Sequence, residues 1–170
     1  RRAGTKGEEL AMDYISDQFK QIGLRPKGTE GYYQDFDINE GKQVNPGTHF
    51  VINDKELKLD EDYFPFVYSP DITIDALPAI ALQEPGLPWF IDLKDVMDEN
   101  ASNPHFDLPD YIHRQAIDLQ KKGAAALIFY NNSAKDDQLK FEGKDKAEKT
   151  GIPVVYVTKS AAKKYLNDAS

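Results

Sequence analysis

Residues 103–114 read NPHFDLPDYIHR, and His105, Asp107 and His113 within them are donors of the kind that hold a catalytic zinc. An H-x-D pair in an extended segment places an imidazole and a carboxylate on one side. Against that reading, Pro104 and Pro109 make the stretch a turn leading into a helix, Asp107 is needed as that helix's N-cap, and His49 is the only other histidine. The expectation is a capped helix entrance with His105 exposed, not a ligand cluster. Other pairings fail on spacing. Counted from Asp35, QDFDINEG puts its glycine seventh instead of sixth and Pro46 at the twelfth place, where a calcium loop needs a bidentate Glu. LDEDY (59–63) reads as a solvated acidic turn. Neither Ser69 in YSPD nor Ser133 in NNSA lies in a G-x-S-x-G elbow. Asn131-Asn132-Ser133 and Asn100-Ala101-Ser102 are glycosylation triplets, relevant only in a eukaryotic secretory pathway.

KKGAAALIFYNNS (121–133) invites comparison with a nucleotide-binding loop. There the glycines follow a strand and open a helix, whereas Gly123 precedes the strand and ends a helix. The alanines then serve packing, letting the helix that ends at Lys122 approach the sheet, with Leu127, Ile128 and Phe129 filling the core behind them.

The elements that position these residues follow from periodicity. TKGEELAMDYISDQFKQIGLRP repeats Leu10, Ala11, Tyr14, Ile15, Phe19 and Ile22 at helical intervals, with Thr5 and Glu8 at capping-box spacing and Gly23 as the left-handed stop. GYYQDFDI alternates as a half-buried strand does. THFVINDKELKL reads as a hairpin turning at Asn53 and Asp54, its Phe50 and Ile52 facing Leu57 and Leu59. Residues 63–91 hold five of the ten prolines and predict short strands broken by turns. A short helix capped by Asp92 follows, then a second from Asp107 to Lys122 with Ile112, Ala116 and Leu119 on one stripe. Two apolar strands, ALIFY and IPVVYVT, predict buried parallel neighbours joined right-handedly, and KSAAKKYLND predicts a closing helix.

The chain has 170 residues, a net charge of −8, 40% hydrophobic residues and no cysteine. That length buries roughly two-thirds of the unfolded surface. The acidic balance and the lack of basic clusters argue against nucleic acid or anionic membrane as partner, and the missing cysteines exclude disulfides and thiolate metal sites. The first ten residues do not read as a signal peptide, so Arg1 is expected to be a trimmed start.

RRAGTKGEELAMDYISDQFKQIGLRPKG followed by GYYQDFDI resembles the opening of the zinc aminopeptidase family that includes the transferrin receptor and glutamate carboxypeptidase. From about Val44 to Leu166, KKGAAALIFYNNS and GIPVVYVTKSAAKKYL are similar to the protease-associated (PA) domain inserted near the start of such enzymes. The resemblance implies an α+β fold, a PA-type β-sandwich or open barrel with flanking helices, preceded by an N-terminal helix and strand. It implies that residues 1–40 belong to a missing peptidase domain and residues 41–170 form the PA domain.

In that family the two-zinc site is built after the inserted domain, from an H-x-D pair at a strand end, a bridging Asp, a Glu-Glu pair, another acidic ligand and a final His. The chain is expected to stop before all of them. His105-Phe106-Asp107 precedes GAAALI and does not follow an apolar strand, and Glu8-Glu9 lies in the first turn of the opening helix. No catalytic, metal-binding or cofactor-binding residue is therefore assigned, and no substrate-binding residue is named. The implied function is that of a non-catalytic accessory part of a secreted or periplasmic zinc aminopeptidase, covering its active-site cleft or meeting a peptide or protein. Zinc is expected in the catalytic domain, which is also the expected partner. The opening helix, deprived of that partner, is expected to fold back on the β domain or to pair with its copy in a homodimer. A free-standing peptide- or carbohydrate-binding module and a small metal-dependent hydrolase are the alternatives.

Overall fold

The computed structural model describes residues 3–38, 41–76 and 83–166. The chain clusters into two compact units, Arg1–Glu40 and Gly41–Ser170.

In the first unit, helix α1 spans Lys6–Gln21. Glu8 turns back and accepts from the N–H of Gly4 at 2.6 Å, one residue before the N-cap Thr5. At the other end Leu24 N–H donates to Phe19 C=O and Gly23 N–H to Lys20 C=O, a Schellman closure that needs the left-handed φ of +73° at Gly23. Residues 28–33 form a tight turn against the helix: the Phe19 and Tyr32 rings lie 6.0 Å apart, and Tyr33 Oη donates to Asp13 at 3.0 Å. The strand predicted from GYYQDFDI does not form. Only single bridges pair Gly28 with Gly31 and Glu30 with Tyr33, and Phe36 and Ile38 are exposed. Alternation makes a segment fit for a sheet, but a strand also requires a neighbouring edge, and none pairs with 34–38 among the described residues.

The second unit opens with hairpin β1 (Phe50–Ile52) and β2 (Lys55–Leu57), turning through Asn53 and Asp54, both at positive φ as a type I′ turn demands. Phe50 faces Leu57 as expected, but Ile52 faces Lys55, and Leu59 lies beyond the ladder, bridged to Tyr63. A mixed sheet follows in the order β3-β6-β5-β4: β3 is Tyr63–Pro65, β4 Pro88–Asp92, β5 Ala126–Tyr130 and β6 Val154–Val157. β4, β5 and β6 are parallel, and β3 runs antiparallel at the edge beside β6. Helices α2 (Lys94–Glu99) and α3 (Leu108–Lys121) connect β4 to β5, and α4 (Lys159–Tyr165) follows β6.

Period-two alternation sends side chains to opposite faces of this sheet and makes two cores. Phe64, Trp89, Leu127, Phe129, Val154 and Tyr156 pack with α2 and α3, whereas Tyr63, Phe90, Ala126, Ile128 and Val157 pack with the hairpin and α4. The alanine run is split between them: Ala124 lies on the α3 side, as expected, but Ala126 lies on the opposite face. Gly123 ends α3 at φ +105°, with Ala124 N–H returning to Leu119 C=O. Asp92 is not the N-cap of α2, which is Leu93, yet its Oδ1 still accepts from Lys94 N–H at 2.9 Å.

Candidate functional site

Asp107 is the N-cap of α3, accepting from Asp110 N–H at 3.0 Å, with Pro109 in the first turn where a missing N–H costs nothing. His113, on the next turns of the same helix, points elsewhere. Its Nε2 donates to the Glu148 carbonyl at 2.8 Å and its ring lies 4.5 Å from that of Tyr68. His105 is exposed, and its backbone N–H is held by Asn103 Oδ1. Cap and loop tether thus occupy two of the three would-be ligands, and these residues do not fit a zinc centre. Among the described residues no group of three His, Asp or Glu is placed to hold a metal ion.

The two serines considered as nucleophiles are structural. Ser69 Oγ accepts from Val154 N–H at 3.0 Å, tying the segment after β3 to the start of β6. Ser133 is wholly buried, and its hydroxyl donates to Asp98 at 2.5 Å while accepting from Lys135 N–H.

Ser133 belongs to a polar lattice at the carboxyl ends of β4 and β5, the edge where parallel sheets commonly build their sites. Asp92 takes Asn132 through both oxygens. Asn131 Nδ2 donates to Asp137 at 2.7 Å and to the Lys135 carbonyl at 3.1 Å, and Tyr156 Oη donates to the same Asp137 oxygen at 2.6 Å. The Lys159 ammonium, from α4, donates to the carbonyls of Ser133 and Lys135. The polar groups of the lattice partner one another, so the lattice fixes the start of the long 131–153 connection. Burial, then the bond to Asp137, raises the Tyr156 hydroxyl far above its ordinary range. The sequence reading passed over Asp98, Asp137, Tyr156 and Lys159. The signal was a run of side chains that bond locally to backbone, Asn131 to Ser133 and Asp136 to Asp137, directly after a buried strand.

Beside the lattice lies a cleft of about 120 Å³. Its floor is Phe66 and Tyr68, whose rings stack at 8° with centroids 5.2 Å apart. Leu139 and Phe141 from the long connection and Pro109 from the start of α3 wall it. Tyr68 is 2% exposed, and its hydroxyl has no hydrogen-bond partner among the described residues. Burial first, then the nearby Asp145 charge, pushes that hydroxyl's ionisation far upward. Trp89 and Phe90, the aromatics of the PWF run, are buried and offer no stacking platform to a carbohydrate.

The class defined by these observations is an α+β domain whose mixed sheet packs α2 and α3 on one face and the hairpin and α4 on the other, with a hydrogen-bonded polar cluster at the carboxyl ends of its central strands. The PA domain family matches residues 107–165, from the cap of α3 through β5 and β6 to the last residue of α4. A PA domain is detected over those residues, and domains of this kind are generally non-catalytic accessories, often in secreted or extracellular proteins. No curated protein and no solved structure matches the chain. No helix among the described residues is long and apolar enough to cross a membrane.

Proposed function

We propose that this chain is the non-catalytic accessory part of a secreted zinc-dependent aminopeptidase, covering the active-site cleft or engaging the peptide that enters it. The PA match over 107–165 carries this reading. The helix of the first unit supports it: α1 turns Leu10, Tyr14 and Ile15 outward at 61%, 66% and 49% exposure, as an element made to pack on another domain does. Zinc would belong to that other domain, since Asp107 is spent on the cap of α3 and His113 on the Glu148 carbonyl.

The gene itself provides the test. The coding sequence that follows Ser170 should contain an apolar strand ending in H-x-D. The longer product should hydrolyse a chromogenic amino-acid amide in a chelator-sensitive way, while the 170-residue chain alone should not. Removal of residues 41–170 from the longer product should alter turnover of peptides more than turnover of the small amide. Chelator-sensitive turnover by the 170-residue chain alone would overturn the reading, as would a longer product with no peptidase activity.

A further inference from the structure

We propose that the cleft between Phe66, Tyr68, Leu139 and Asp145 receives the basic side chain of a peptide, arginine in preference to lysine. Its floor is two stacked aromatic rings and its walls are Val67, Pro109, Leu139 and Phe141. Such a surface suits a planar, weakly hydrated guanidinium and the methylenes behind it.

The rim supplies the opposite charge. Asp137, Glu142 and Asp145 border the cleft; Lys140 beside them is already paired with Glu142 at 3.1 Å, and the Lys42 ammonium is held on the Val67 carbonyl at 3.5 Å. Asp137 is spent on Tyr156, Asn131 and the N–H of Leu139. Asp145 is different: one oxygen accepts from Ala147 N–H at 2.8 Å and the other has no partner among the described residues. Its charge is therefore available to a ligand.

The second, independent observation is Tyr68. A buried hydroxyl without a partner is costly, and this one belongs to a residue that lines the cleft. Its oxygen is sealed from solvent, so a guanidinium N–H reaches it only when neighbouring side chains shift, and would then supply the partner that the apolar walls cannot. The chain's net charge of −8 also favours a cationic ligand at long range. The biological setting, a peptide on its way to a peptidase, rests on the accessory role proposed above; the chemistry of the cleft does not.

The experiment is a titration of the ¹⁵N-labelled 170-residue chain with N-acetyl-arginine methylamide, followed by amide shifts. Parallel titrations use the lysine, citrulline and norleucine analogues. Saturable shifts confined to residues 66–68 and 137–145 are expected with arginine, weaker ones with lysine and weaker still with the uncharged pair. Asp145→Asn should weaken arginine binding by about two- to fivefold, the worth of an exposed charge pair. Tyr68→Phe, which keeps the stacked ring, should weaken it with the fold intact.

No shift, shifts centred elsewhere, or an equal response to norleucine would overturn the proposal, as would unchanged binding in Asp145→Asn. Failure here leaves the accessory role standing, because that is decided by the longer gene product. Conversely, arginine binding by a chain whose longer product has no peptidase activity keeps the cleft and removes the accessory role.

Discussion

Helices α1 and α3 have the same design in sequence and opposite fates in structure. Each carries apolar residues at helical spacing and each is closed by a left-handed glycine with a Schellman return. In α3 the stripe is buried, with Ile112 and Ala116 at 0% exposure and Leu119 at 8%. In α1 the corresponding residues stand out, from Phe19 at 38% to Tyr14 at 66%, and the one buried residue is Ser16. The lesson is that periodicity states which face of a helix wants a partner and is silent on whether the same chain provides it. Where β5 and β6 lie alongside, as they do for α3, the apolar face becomes core. The contacts on α1 from residues 28–33 fall instead on Asp13 and Phe19.

The largest test of this contrast is a pair of truncations. Ile112→Ala should cost about 2–5 kcal/mol in urea unfolding, because it opens a cavity in a closed core. Ile15→Ala should stay within about 0.5 kcal/mol, as surface substitutions do. Equal losses would mean that the α1 face is covered in solution, and a concentration-dependent midpoint would then point to a second copy of the chain.

The two C-termini sharpen the comparison at a smaller scale. Gly123→Val combines an unfavourable φ of +105° with a Cβ placed 3.0 Å from that of Pro85, and a loss of about 1–3 kcal/mol is expected. Gly23→Ala faces the strained φ alone, with nothing within 4 Å, and should cost about 1–2 kcal/mol. A larger loss at Gly23 than at Gly123 would break the parallel. Asp107→Ala should cost about 1 kcal/mol through the lost cap, with no change in zinc content by elemental analysis.

Alkaline titration probes the buried tyrosines of the second unit. Tyr63, Tyr68, Tyr130 and Tyr156 of the second unit all ionise above the ordinary 10.0, chiefly because of burial. Below pH 10.0 these groups are protonated in folded and unfolded chains alike and their contribution is intact. Above it the unfolded chain ionises first, so stability falls as pH rises. Tyrosinate absorbance from these four should therefore appear together with loss of the folded signal; their ionisation in a chain that stays folded at pH 10.0 would contradict the burial. The smallest effect expected is that of Tyr68→Phe, neutral or slightly stabilising in the same urea assay, since it deletes a buried hydroxyl that has no partner.

Much of the second unit was legible from residues alone. The Asn53-Asp54 turn, the Asp107 cap, the Gly123 stop and the apolar runs of β5 and β6 each obey a local rule, one that acts over a few residues and needs no knowledge of the rest of the chain. Those same rules also identified Asp107 as a cap before its neighbours were seen. What they could not give was anything that depends on residues distant in sequence.

The strand expected at residues 31–38 failed for want of an edge, and the division of Ala124 and Ala126 between two cores followed from which layer lay on each face of β5. The Tyr68 cleft is assembled from 66–68, 109 and 137–145, three stretches with no common pattern. Local sequence therefore determined the elements, their caps and their stops, because those energies are settled between near neighbours. Tertiary structure alone decided which apolar faces became core, which polar groups became a lattice and where a cleft was left, because burial is a property of the assembled layers.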